Sequence, residues 1–335
     1  MKRSIRKIAA VIMVMVLTAG ALASCDRTPP YEERPVIRIA TLKGPTGIGA
    51  VKLFADNEAK LTANRYETLI VGAPDEIVGK ITTGQLDIAA VPTNLAATLY
   101  NKTEGEVQLL ALNTLGVLYI LEKGDTVSSV EDLRGKKLYA TGKGSTPEFI
   151  LDHILTENGI DPENDIDIEY KTEHSELLTL AASGNADLVL LPEPFVTTLL
   201  ARNAGFVSKI DLTSEWDALA SQDGQQAGVL AMGGIIVRKE FAENNKAVVD
   251  AFLKEYEDSV KYTESSPDET AALVVKYGIM ADEGLAKQAL PGCNIVFIGG
   301  DEMKGKIGEL YEVFVAADPK SIGGKLPGED FYYGG

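Results

Sequence analysis

The chain of 335 residues is poor in the residue types that build most catalytic and metal sites: two cysteines, two histidines and one tryptophan. His153 and His174 stand 21 residues apart on what read as different elements, which argues against a histidine metal site and against a relay with Cys293. Neither a metal nor a cofactor is expected. Gly44 to Gly49 leads into Ala50 rather than Lys-Ser/Thr, so the loop is not a nucleotide P-loop, and Gly142 to Pro147 lacks the third glycine of a dinucleotide fingerprint. There is no Gly-x-Ser-x-Gly elbow either. After residue 24 no second long apolar run occurs. Acid exceeds base by 17 charges, which excludes nucleic acid and anionic membrane as partners for the body of the protein.

What is present begins with a secretory pattern. Lys2, Arg3, Arg6 and Lys7 precede an apolar run from Ile8 to Leu22, too short for a bilayer span of about 20 residues. The run ends in Leu22-Ala23-Ser24-Cys25, which resembles the bacterial lipobox, so residues 1–24 are expected to be cleaved and Cys25 lipidated. That anchor implies an extracytoplasmic protein held on the outer face of the cytoplasmic membrane. An ordinary cleaved signal with an incidental cysteine would instead leave a freely soluble secreted protein. With Cys25 so committed, an internal disulfide is excluded, and Cys293 after Pro291-Gly292 reads as a small packing residue. Residues 25–35, rich in proline and charge, read as a mobile tether. Loss of the four basic residues ahead of Cys25, among which there is no acid, takes the net charge from −17 to −21.

A block recurs one hundred residues downstream: Ala40 to Thr46 matches Ala140 to Thr146 at five of seven positions. Gly84, Asp87, Pro92, Thr98 and Leu99 match Gly184, Asp187, Pro192, Thr198 and Leu199 at the same offset. A repeat this long predicts two similar α/β lobes rather than a solenoid. Short apolar strands alternate with helices: strands at 36–41, 66–71 and 87–91 with helices at 48–61, 75–83 and 94–100, then strands at 138–141, 166–170 and 187–191 with helices at 146–158 and 175–183. That alternation argues for βαβ units and mostly parallel sheets. Val107 to Glu122, broken at Gly116, reads as two strands, 228–238 as a strand returning to the first lobe, and 239–262 as a long helix. The expected division is 36–123 with 234–335 as lobe I and 124–233 as lobe II, joined by two crossovers.

In open α/β sheets ligands bind beyond the carboxyl ends of strands, where loops enter helices. Gly44, Thr46 and Gly47 in one copy and Ser145 and Thr146 in the other offer hydroxyls and backbone N–H groups at helix starts, an arrangement that receives oxyanions or simply caps the helix. Thr93 and Asn94 follow Pro92, whereas the second copy has Glu193, which reads either as an acceptor for a ligand amine or as an acid complementing the helix dipole. Lys43 and Lys143 read as solvated, Phe195 as core, and His174 as a residue at a helix start.

These segments resemble the type II periplasmic-binding fold, and most of all the binding lipoproteins of ABC importers for nitrate, aliphatic sulfonates, taurine and pyrimidine precursors of thiamine. The matching pieces are Gly44 to Ala50, Gly84-Gln85-Leu86-Asp87-Ile88, Val130 to Lys137 and Leu191-Pro192-Glu193-Pro194. The resemblance implies a monomeric receptor that closes on a small-molecule ligand, an organic anion or a vitamin precursor, and presents it to an ABC permease and ATPase complex. Two other roles remain open: a surface enzyme with Glu193 as general base, and a sensor without transport.

Overall fold

The computed structural model describes residues 29–222 and 229–334. The expected signal segment and Cys25 lie outside the described residues. Eleven strands are described: β1 (Val36–Leu42), β2 (Arg65–Val71), β3 (Ile88–Pro92), β4 (Val107–Thr114), β5 (Leu118–Lys123), β6 (Lys137–Thr141), β7 (Asp167–Lys171), β8 (Leu188–Pro192), β9 (Phe206–Asp211), β10 (Gly233–Arg238) and β11 (Ile295–Gly299). They form two sheets, ordered β11-β4-β10-β3-β1-β2 and β7-β6-β8-β5-β9.

The hundred-residue offset is a structural repeat. β2-β1-β3 run parallel in the first sheet, and β7-β6-β8 run parallel in the second. Beyond β3 and β8 the sheets turn antiparallel, with β10 on β3 and β5 on β8. Each sheet is therefore mixed rather than mostly parallel. A helical crossover enforces parallel entry, but β10 and β5 are delivered by the chain as it passes between sheets.

That passage corrects the expected division. Leu118–Lys123, read as part of lobe I, pairs with β8 and β9 in the second sheet, so the first crossing is Leu115–Val117 and not the stretch after Lys123. The return falls between Asp211 and Gly233. β9, the helix Leu212–Gln222 and β11 were not anticipated, and the expected long helix is two, Lys239–Asn244 and Lys246–Ser265, interrupted at Asn245. The tether is also shorter than its composition suggests: the Tyr31 hydroxyl donates to the Asn57 carbonyl at 3.0 Å, and Arg34 donates to the Thr62 carbonyl.

Alternation along the strands sorts the core. In β1, Ile37 and Ile39 enter a cluster on the outer face of the first sheet, while Ala40 and Leu42 enter another. In β8, Val189 and Leu191 pack outward, while Leu188 and Leu190 join the same cluster as Ala40 and Leu42. One apolar cluster thus runs through both sheets. Two of the motifs that carry the resemblance hold the frame. Asp87, buried, accepts from Arg38 Nε at 2.9 Å and lies 3.5 Å from Arg238, which ties β1, β3 and β10 together. Ser129 and Asp132 form a capping box at the short 3₁₀ turn Val130–Leu133, where the Ser129 backbone N–H donates to Asp132 Oδ2 at 3.1 Å.

At the return crossing a side chain has no room. A Cβ on Gly233 would lie 2.4 Å from Thr46 Cγ2 and 2.5 Å from Asn113 Oδ1. Gly233→Ala is expected to lower unfolding free energy by about 1–3 kcal/mol through overpacking, read from urea midpoints at unchanged slope. An unaltered midpoint would show that the crossing yields freely.

Candidate functional site

Three of the residues expected at the site meet across the two sheets. The helix Thr93–Lys102 starts where β3 ends, and the helix Thr146–Glu157 starts beyond β6, so both present their first turns to the seam. Thr93 Oγ1 and Thr146 Oγ1 are 3.1 Å apart, Thr146 Oγ1 donates to Asn94 Oδ1 at 3.1 Å, and the Asn94 backbone N–H donates to Thr146 Oγ1 at 3.2 Å. Asn94 Nδ2 reaches the Gly144 carbonyl at 3.2 Å and the Ser321 carbonyl at 3.1 Å. Thr93 Oγ1 also donates to the Ala231 carbonyl at 2.7 Å, next to the return crossing. Thr93, Asn94 and Thr146 are all buried, and their polar atoms are engaged with one another.

The other expected residues are placed separately. Gly47 answers to the backbone, since a Cβ there would lie 2.3 Å from the Leu42 carbonyl oxygen. Thr46 accepts from Asn113 Nδ2 at 2.9 Å through its carbonyl. Ser145 turns back to the Gly142 carbonyl at 3.0 Å. The N–H of Gly144 donates to Glu148 Oε2 at 2.5 Å, so this helix start already holds a carboxylate of its own. Glu193 accepts from the Thr197 backbone N–H at 3.1 Å and from Thr197 Oγ1 at 2.9 Å, the helix-capping alternative, and its side chain abuts Gly292. Burial raises its carboxyl above the ordinary range while the Thr197 hydrogen bonds oppose the shift. Cys293 is buried, and its thiol is pushed up by that burial and by Glu193.

Gly44 leads to an open region. A Cβ on it would lie 4.0 Å from His174 Cδ2, in the opposite sheet's layer. Beside this contact is a cavity of about 420 Å³, within the range of ligand pockets. Its lining comes from both sides: Lys43, Gly72 and the 278–285 segment face His174, Leu178 and Phe195. His174 Nδ1 is 2.6 Å from Thr141 Oγ1 and its ring centroid is 5.1 Å from that of Phe195. Burial pushes the imidazole down to about 4, which keeps it neutral at ordinary pH. Sequence reasoning set His174, Lys43 and Phe195 aside. The available signal was that His174 falls where the first copy has Pro74.

Two parallel-to-antiparallel sheets with a crossing pair of connections and a cavity between them define the two-lobed type II periplasmic-binding fold. Residues 58–217 match the family described as the periplasmic substrate-binding protein of phosphonate ABC transporters. An ABC transporter structure from Parabacteroides distasonis superposes with a TM-score of 0.71 at 22% identity, covering 89% of this chain and 98% of that one. The aliphatic sulphonate binding protein SsuA of Escherichia coli gives 0.68 at 16% identity over 89% and 96%. The Bacillus subtilis binding protein YtlA is 21% identical over 145 residues, 43% of this chain and 40% of that protein. The chain thus shares its fold with ABC-transporter periplasmic substrate-binding proteins, and its central segment, residues 58–217, is similar in sequence to that family.

Asn94→Leu is expected to cost about 1–3 kcal/mol by removing the side-chain donor to the Gly144 carbonyl, one of two to the Ser321 carbonyl, and the acceptor of Thr146 Oγ1, measured by denaturant unfolding. Stability equal to the parent would remove Asn94 from the seam. A second expectation concerns acid. An unfolded histidine titrates near 6.5, so between that value and about 4 the unfolded chain binds more protons than the folded one. The stabilising contribution of neutral His174 is intact above about pH 6.5 and is lost as pH falls toward 4. His174→Gln should therefore flatten the fall of melting temperature over that window; an identical fall in both proteins would show that the imidazole is not depressed.

Proposed function

We propose that the protein is the extracytoplasmic solute-binding receptor of an ABC importer. It is anchored by lipid on Cys25, acts as a monomer and hands a small polar solute, an organic anion or a vitamin or pyrimidine precursor, to a permease and its ATPase. The observation that carries this reading is the cavity of about 420 Å³ lined from both sheet units, by Lys43, Gly72 and Ile279 on one side and His174, Leu178 and Phe195 on the other. A solute held there touches both units at once, so its binding energy favours the closed form, which is what a permease must recognise. The crossing at Leu115–Val117 and the return at Ala231–Met232, where the Met232 N–H donates to the Thr114 carbonyl at 2.9 Å, supply two adjacent connections about which the lobes can rotate.

The enzyme alternative draws no support from the geometry. Both Glu193 oxygens are occupied by Thr197, and the side chain lies against Gly292 rather than along the described lining of the cavity. Among the described residues no helix is long and apolar enough to cross a membrane, so attachment on this reading depends on the lipid.

A thermal-shift screen of sulfonates, phosphonates, nitrate, pyrimidines and amino acids is expected to return at least one solute that raises the melting temperature. Calorimetry should then give one bound solute per chain, recovered unchanged. Chemical conversion of that solute, or the lack of any stabilising solute, would sink the receptor role.

A further inference from the structure

The cavity's chemistry indicates what it takes, on the premise that the protein is a receptor. Its charged lining residues, Lys43, Glu173, Arg202 and Asp282, are all exposed, two of each sign, and stand at the solvent edge. Its buried lining is mostly apolar, with Leu178, Pro194, Phe195 and Ile279; the one buried polar residue among the lining, Thr198, donates its hydroxyl to the Pro194 carbonyl at 3.0 Å. His174 brings a neutral imidazole to this wall. Thr141 engages Nδ1, so Nε2 is the ring nitrogen left for a ligand.

Three helix starts at the strand ends already carry acids from their own helices, while the short Pro45–Ile48 helix carries none. Glu76 accepts from the backbone N–H groups of Gly72 and Ala73 at 3.2 and 3.3 Å. Glu148 accepts from Gly144, and Glu176 accepts from the Thr172 N–H at 3.3 Å. At these three starts an anionic head group would have to displace a carboxylate, and against the apolar wall it would lose its hydration with cations only at the exposed edge, on Lys43 and Arg202.

The internal repeat offers a control. Thr41, the counterpart of Thr141, is buried and its hydroxyl makes no hydrogen bond, because Pro74 stands where His174 stands in the second copy. The Thr141–His174 pair is thus a feature of one lobe, not of the fold.

We propose that His174, positioned by Thr141, is the specificity-determining residue of the inter-lobe cavity and selects an uncharged polar head group, such as an amide or the edge of a nitrogen heterocycle, over a fixed oxyanion. Phe195 supplies the ring surface beside it, and His174 Nε2 makes the hydrogen bond that orients the solute.

The test is calorimetry on the full chain with matched neutral and anionic probes: nicotinamide with nicotinate, cytosine with orotate, and propanamide with ethanesulfonate. In each pair that binds, the neutral member is expected to be at least about tenfold tighter, one hydrogen bond's worth of discrimination. His174→Gln and Thr141→Val should each weaken the neutral probe about tenfold, and Thr141→Ser, which restores the hydroxyl, should recover it. Glu76→Ala, by freeing the N–H groups of Ala73 and of Gly72, which lines the cavity, should improve nicotinate or ethanesulfonate binding and leave the neutral probes as they were. A tighter anionic member in any pair, or neutral binding indifferent to His174→Gln, overturns the assignment while leaving the receptor role standing. Binding by no probe and by no solute of the wider screen defeats both.

Discussion

A single apolar cluster joins the two sheets, and the rest of the molecule is arranged around it. Ala40, Leu42 and Val91 from the first sheet share it with Leu138, Leu188 and Leu190 from the second, and the C-terminal helix Gly300–Ala317 adds Met303, Ile307 and Phe314. Phe149 and Phe314, whose ring centroids are 6.0 Å apart, pack the second unit's first helix on that C-terminal helix. Burying apolar area of this extent favours the lobes together without choosing an orientation, because the hydrophobic effect is not directional. Orientation comes from the polar seam of Thr93, Asn94 and Thr146, whose hydrogen bonds exist at one alignment only. Rotation about the crossings must break those bonds, and their loss is offset only if water or a solute replaces them.

Much of the frame was legible in the sequence because the repeat fixes it twice. β1, β3, β6 and β8 fall within a residue or two of expectation, since short apolar runs bounded by Gly and Pro leave few alternatives. The crossing at Leu115–Val117 was not legible: Val107 to Glu122 is nearly continuous in hydrophobicity, and nothing local says that β4 and β5 belong to different sheets. β9 and β11 escaped for a related reason. Phe206–Asp211 carries Ser208, Lys209 and Asp211, and Ile295–Gly299 is five residues of partly exposed chain. Both strands lie at sheet edges, where burial is one-sided and the apolar signal weak.

The site shows the opposite balance. Loops were located correctly at the strand ends, but which atoms of a loop remain available is decided by tertiary partners that sequence spacing does not reveal. Thr146 is taken by Asn94, Ser145 by Gly142, and the Gly144 N–H by Glu148. Glu148 is the third residue of its own helix and four beyond Gly144, the reach at which an acid can fold back on the helix start, and Glu76 and Glu176 repeat the device. The motifs that carried the family resemblance are mostly frame. Asp87 holds two arginines, and Asp132 closes a capping box.

Specificity therefore has to arise where the copies differ. Duplicated lobes share every constraint imposed by the fold, so a residue common to both copies answers first to packing or backbone geometry. Asp87 illustrates the converse risk: its counterpart Asp187 is exposed, so even a matched residue can serve only one lobe. The pairs Thr41 with Pro74 and Thr141 with His174 differ by one side chain, and that side chain is the one that reaches the cavity. A fold that spends no packing requirement on position 174 is free to vary it, and a cleft with few other polar groups in its buried wall makes any change there felt in the solute it admits.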